Sequence, residues 1–203
     1  LARVLEEAPL GARERGHVAH ITAASKSLLA LLSDLLDYAR IESGALPLER
    51  LPFRLDDTLQ NLALLAAPQA WRKGVEPVFA VAPGMPEQLL GDPIRLEQIL
   101  LNLVGNAVKF TEHGEVVLAV EIVHRQDSWL RLRFSVRDTG IGIEQGVQRE
   151  IFEPFTQGDG STSRKYGGAG LGLSIARRLV ALMGGELALA SSPGAGALFS
   201  FEL

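Results

Sequence analysis

The stretch from Asn102 to Phe110, NLVGNAVKF, constrains the chain most. Ile99, Leu100, Leu103, Val104, Ala107 and Val108 recur at helical spacing, which predicts one buried helix face. Asn102, Asn106 and Lys109, at steps of four and three, fall on a common stripe of that helix. Core-facing helices rarely carry two carboxamides and an ammonium beside the side that packs. A carboxamide oxygen suits a hydrated Mg2+, and an ammonium is a point charge for phosphate. Taken alone, the stripe reads equally well as a solvated helix edge.

Two glycine-rich segments separate those readings. DTGIGI, Asp138 to Ile143, follows the alternating run LRLRFSV. GGAGLGL, Gly167 to Leu173, opens a helical pattern running to about Met183. Glycines at this density let backbone N–H groups approach an anion, and a helix start adds partial positive charge. FEPF, Phe152 to Phe155, lies between them. In this order the segments resemble the ATP-binding catalytic domain of two-component sensor histidine kinases. NLVGNAVKFT resembles that family's N box, DTGIGI its first glycine box, FEPF its F box and GGAGLGLSI its second glycine box, over roughly residues 52–203.

Composition bounds the alternatives. With 203 residues, 47% hydrophobic and 22% charged, the chain is long enough for one or two folded domains. A net charge of −4 without a Lys/Arg run argues against nucleic acid as a partner. The absence of cysteine excludes disulfides and thiol catalysis. No apolar run reaches the ~18–20 residues that span a bilayer. The expectation is a cytoplasmic piece of something larger, such as the cytoplasmic portion of a membrane-bound sensor.

In chain order, residues 1–8 read as a helix end broken by Pro9 and Gly11, and a long helix is expected from about Ala12 to Glu42. Its stripe of Ile21, Leu28, Leu32, Leu35 and Ala39, widened by Leu29, Leu31 and Leu36, needs a partner surface, best met by two-fold pairing. LLSDLLDYARIESGAL resembles the end of the family's dimerisation and histidine-phosphotransfer hairpin. The resemblance implies a partial hairpin over 1–46, homodimeric as a four-helix bundle, with the phosphoacceptor His upstream of Leu1. His17 and His20 have no adjacent acid and no nearby proline, and read as helix-surface residues.

From residue 47 onward the expectation is an α+β fold. A short strand spans Phe53 and Leu55, and a helix capped by Asp56 or Asp57 ends near Pro68 to Gly74. VEPVFAV is an edge strand, GDP leads into the Asn-bearing helix, and a hairpin starts at Gly114. A short helix is expected around Gln145 to Ile151, and a glycine- and hydroxyl-rich lid over Gln157 to Gly167. A last helix turns Leu171, Ile175, Leu179 and Leu182 inward, before a closing hairpin around Pro193 to Gly196. Such a set makes a two-layer α/β sandwich, and the family's Bergerat-type ATP-binding fold is that sandwich.

The resemblance assigns roles. Asp138 would accept from the exocyclic amine of adenine, with Gly140 and Gly142 passing close to base and ribose. Asn106 would hold Mg2+, Asn102 would line the same site and Lys109 would neutralise phosphate. Gly168, Gly170, Leu171, Gly172 and Leu173 would cradle the phosphate chain; Arg164 or Lys165 would reach the γ-phosphate and Tyr166 would flank the nucleotide. Phe152 and Phe155 would anchor the lid. Asn102 stands where hydrolytic relatives in the superfamily carry a Glu as general base, and a carboxamide takes no proton near neutral pH. The expected function is therefore a protein-histidine kinase that uses Mg-ATP and passes its phosphoryl to a response regulator or receiver domain. Ala169 and Ala197 depart from the family's hydroxyl residues. They keep a competing reading open, a weakly catalytic or non-catalytic homologue that acts by dimerising with another kinase.

Overall fold

A computed structural model describes residues 11–126, 129–156 and 170–203. The chain forms two compact units, Leu1–Ala45 and Leu46–Leu203. In the first unit, helix α1 covers Ala12–Glu42 and ends where Gly44 adopts a left-handed φ of 67°. Ile21, Leu28, Leu29, Leu32, Leu35 and Leu36 are all exposed in the single chain. The helix end expected within residues 1–8 lies outside the described residues.

The second unit is a sheet with helices on one face. Five strands lie in the order β2 (Val75–Val81), β4 (Gly114–Gln126), β5 (Trp129–Asp138), β7 (Ala197–Glu202) and β6 (Ala188–Ser191). Only β2 and β4 run parallel; the other pairs are antiparallel. A separate two-stranded ribbon joins β1 (Leu51–Phe53) to β3 (Leu89–Gly91). Register places Leu118 opposite Val136 and Val136 opposite Phe199, and likewise Val120, Phe134 and Phe201 in a row. These side chains are buried, and Phe134 stacks on Phe201 at 5.1 Å between ring centroids. The alternate positions face water, where Arg133 pairs with Glu202 at 2.7 Å and Arg137 with Glu115 at 2.5 Å. Strict alternation of this kind is what one covered sheet face requires.

Helices α2 (Leu55–Arg72), α3 (Pro93–Phe110) and α4 (Gly172–Leu182) supply the other layer. Leu62, Ile99, Leu100, Ile175 and Leu179 are fully buried among them. Asp92 fixes the start of α3: its Oδ1 accepts from the Arg95 amide and its Oδ2 from the Glu49 amide, both at 3.0 Å, ahead of Pro93 at the first helical position.

Several local expectations need correction. Leu55 begins α2 instead of ending a strand, and Arg54 occupies the cap, so Asp56 and Asp57 fall in the first turn. The end of α2 at Arg72 falls within the expected stretch from Pro68 to Gly74, with Pro68 inside the last turns and Ala66, Ala67 and Ala70 buried. The helix expected around Gln145 to Ile151 is a run of turns with a 3-10 turn at Glu150–Phe152. Leu182 is 38% exposed, and Ala176 and Val180 fill the interior in its place.

Candidate nucleotide site

Three segments of the second unit meet along the C-terminal half of α3. The stripe of Asn102, Asn106 and Lys109 is half-buried, beside a fully packed face of Ile99, Leu103, Val104, Ala107 and Val108. Asn102 Nδ2 is buried with no hydrogen-bond partner among the described residues. A buried amide donor without an acceptor costs roughly 1–3 kcal/mol, which a ligand oxygen would recover. Burial holds the Lys109 ammonium below its ordinary pKa, and its Nζ lies 4.8 Å over the Phe110 ring.

The loop after β5 closes onto the end of this helix. Asp138 is 7% exposed, and its Oδ1 accepts from the Gly140 amide at 2.8 Å and the Ala197 amide at 3.3 Å. Burial raises the Asp138 pKa, and the two amide bonds only partly oppose it. The loop has no room for side chains at its glycines. A Cβ on Gly140 would lie 2.5 Å from the Phe110 carbonyl, and one on Gly142, where φ is 68°, would collide with the Ser192 carbonyl.

Asn102 also meets the third segment. A Cβ on Gly172 would stand 3.2 Å from Asn102 Oδ1, so the start of α4 lies directly against the carboxamide. Helix α4 opens at Leu171 without a side-chain cap, leaving first-turn amides and the positive end of its dipole available to an anion. Gly170 is crowded by Thr156, and its carbonyl accepts from the Phe155 amide at 3.1 Å. Leu171 itself is buried and serves as packing, while Leu173 is half-buried on the first turn.

The structure thus sets Asp138, Gly140 and Gly142 at the Phe110 end of α3 and the segment of Gly170, Leu171, Gly172 and Leu173 beside Asn102, along the helix that carries Asn106 and Lys109. Arg164, Lys165, Tyr166, Gly168 and Ala169, with the lid over Gln157 to Gly167, lie outside the described residues. Phe152 packs edge-on against Phe199 at 6.3 Å with the Arg177 guanidinium 5.2 Å above its ring, whereas Phe155 is 63% exposed. Two residues that the sequence reading passed over brace the glycine loop after Asp138. Gln148 Nε2 donates to the Ile143 and Ser191 carbonyls, both at 3.0 Å, and Ser191 Oγ accepts from the Ile143 amide at 2.9 Å. Neither carries a periodic or motif signal. Among the described residues no cluster of His, Cys, Asp and Glu could hold a metal, so a cation here would depend on the carboxamides and on ligand oxygens.

Comparison with known proteins identifies the family. The model of the family described as histidine kinase-, DNA gyrase B-, and HSP90-like ATPase matches residues 91–203. Sensor histidine kinase GacS of Pseudomonas protegens is 41% identical over 200 residues, covering 98% of this chain and 22% of that protein. Signal transduction histidine-protein kinase BarA of Escherichia coli is 40% identical over 190 residues, covering 94% of this chain and 21% of that protein. Full-length ShkA in complex with AMPPNP matches with a TM-score of 0.82 at 42% identity, over 99% of this chain and 41% of that one. The chain spans about a fifth of the length of the curated relatives it matches. No described helix is long and apolar enough to cross a membrane. The chain belongs to the histidine kinase-, DNA gyrase B-, and HSP90-like ATPase family, and its two-layer α/β unit is the histidine kinase ATPase domain of a two-component sensor kinase.

Proposed function

We propose that the site binds Mg-ATP and that the protein transfers the γ-phosphoryl to a histidine on an upstream helix of a homodimer, for relay to a response regulator. The observation that carries this reading is Asn102, whose buried Nδ2 has no acceptor among the described residues and whose carboxamide is set against Gly172 at the start of α4. A carboxylate at that place would pull a proton from water; a carboxamide only orients what lies beside it. The described residues accordingly favour an outside nucleophile over hydrolysis.

Each group has a role in that transfer. Asp138 accepts from the adenine amine, and Gly140 and Gly142 clear room for base and ribose. Lys109 and the first-turn amides of α4, with Gly170 and Gly172, take phosphate charge. Asn106 would hold Mg2+, with Asn102 lining the same site, and the ion would supply charge neutralisation to the phosphates. Arg164 and Tyr166 complete the proposal as lid contacts to the γ-phosphate and the nucleotide, with Gly168 cradling phosphate. In the transfer, the bond from the bridging oxygen to the γ-phosphorus breaks and a phosphorus–nitrogen bond to imidazole forms. ADP leaves with the bridging oxygen.

The likeness to ShkA, whose structure contains AMPPNP, supports the ATP assignment. We place the hairpin unit at residues 1–46 and the catalytic unit at 47–203. The exposed leucines of α1 support pairing with a second copy. A weakly catalytic reading draws on Ala197, where a backbone amide and not a hydroxyl meets Asp138.

The test is incubation of the parent protein with γ-labelled Mg-ATP, with Asn106→Ala as control. Acid-labile, alkali-stable label that disappears in the control is the expected result. Nucleotide binding without label would move the function to a regulatory partner, and absence of both would overturn the site.

A further inference from the structure

Helix α3 carries the stripe, and its C-terminal end is where that stripe is fixed to the rest of the unit. A helix leaves its last four carbonyls without donors of its own. Here each of the four has one. The Ala107 carbonyl accepts from the Thr111 amide at 3.0 Å and the Thr111 hydroxyl at 2.7 Å. The Val108 and Lys109 carbonyls accept from Lys73 Nζ, both at 2.7 Å. The Phe110 carbonyl accepts from the Ile141 amide at 3.4 Å. Lys73 Nζ also donates to the Thr111 carbonyl at 3.0 Å, just past the helix.

Lys73 belongs to none of the motifs. It caps the end of α2, and from there its half-buried ammonium reaches three carbonyls at the negative end of the α3 dipole. Those carbonyls flank Phe110, whose own carbonyl holds the glycine loop that follows Asp138. One ammonium therefore ties the turn bearing Asn106 and Lys109 and sits one residue from the hydrogen bond that seats the adenine loop.

We propose that Lys73 is a positioning residue of the nucleotide site. It touches no ligand; it sets the last turn of α3, and through Phe110 the height of the Asp138 loop. Small displacements of such a framework are felt strongly by the groups that must meet phosphate and base. The inference rests on the nucleotide reading above for its effect on binding, but the cap itself is testable without nucleotide.

The experiment compares the parent with Lys73→Met, Lys73→Arg and Leu132→Ala, a core variant on β5 remote from the motifs. Hydrogen exchange is measured first, without nucleotide. Lys73→Met is expected to speed exchange of the Thr111 and Ile141 amides about tenfold while Val136 keeps its protection. Mg-ATP titration of the folded proteins follows. Lys73→Met is expected to lose about tenfold in affinity, Lys73→Arg to stay within about threefold of the parent, and Leu132→Ala to bind normally despite its lower melting temperature. Unchanged exchange at Thr111 and Ile141 would overturn the cap. An affinity loss shared equally by Leu132→Ala, or not relieved by Lys73→Arg, would reduce Lys73 to a general stabiliser. A parent that bends no titration curve with Mg-ATP would refute the nucleotide reading, and the exchange data would still decide the cap.

Discussion

Replacing Asp138 by Asn separates binding from stability. The carboxylate is buried, and both backbone donors, Gly140 and Ala197, go to the same oxygen, Oδ1. Asn keeps that oxygen in place and removes the charge. Burial outweighs the two amide bonds in setting the Asp138 pKa above its ordinary value of 3.8. The cost of ionising it is thus present above the folded pKa and vanishes as pH falls below 3.8. The nucleotide-free Asn variant should be at least as stable as the parent at pH 7. Its advantage should shrink as pH falls through that window. The nucleotide loses a charged acceptor for its exocyclic amine, worth about 1.5–3 kcal/mol, or about 10- to 150-fold in affinity. Moreover, an amide –NH2 would then face another donor. Thermal melts at pH 4 and pH 7 and titration with Mg-ATP check both halves. A variant that loses stability at pH 7 while keeping its affinity would refute the argument at both points.

Other outcomes follow from the same geometry. Lys109→Met should lower Mg-ATP affinity about 10- to 100-fold, read by calorimetry. Because burial depresses the Lys109 pKa below 10.5, the charge penalty holds at neutral pH and is relieved toward pH 10.5, so any stability gain of the Met variant should fade over that rise. Asn102→Glu, which places a general base against Gly172, should raise phosphate release by water above the parent's level in a coupled assay. Phe134→Ala should cost about 3–5 kcal/mol in urea unfolding, since the ring is 2% exposed and stacked on Phe201. Arg133→Ala should cost under about 1 kcal/mol by the same measurement, because its pair with Glu202 lies on the exposed sheet face.

Much of this was legible in the sequence where one local rule governed. Asp92-Pro93 announces the start of α3, and the period of its leucines and valines separates the packed face from the Asn102–Lys109 stripe. Pro77 placed VEPVFAV at a sheet edge, where β2 lies. Reading failed where tertiary burial overrode a local signal. Leu182 sits at helical spacing from Leu171, Ile175 and Leu179, yet Ala176 and Val180 are buried and it stays 38% exposed. Gln145 to Ile151 lacks an apolar stripe, so nothing pulls its turns into an α-helix. Contacts across long separations left no trace: Lys73 meets carbonyls 35 to 38 positions away, and Gln148 meets Ser191 43 positions on.

The most direct test of the central claim is calorimetric titration of this chain with Mg-ATP, alongside Asn106→Ala and Asp138→Asn. Saturable one-site binding that needs Mg2+ is expected, weakened at least about tenfold by each substitution in proteins that melt like the parent. Binding that ignores both substitutions, or no binding by a folded parent, would contradict it.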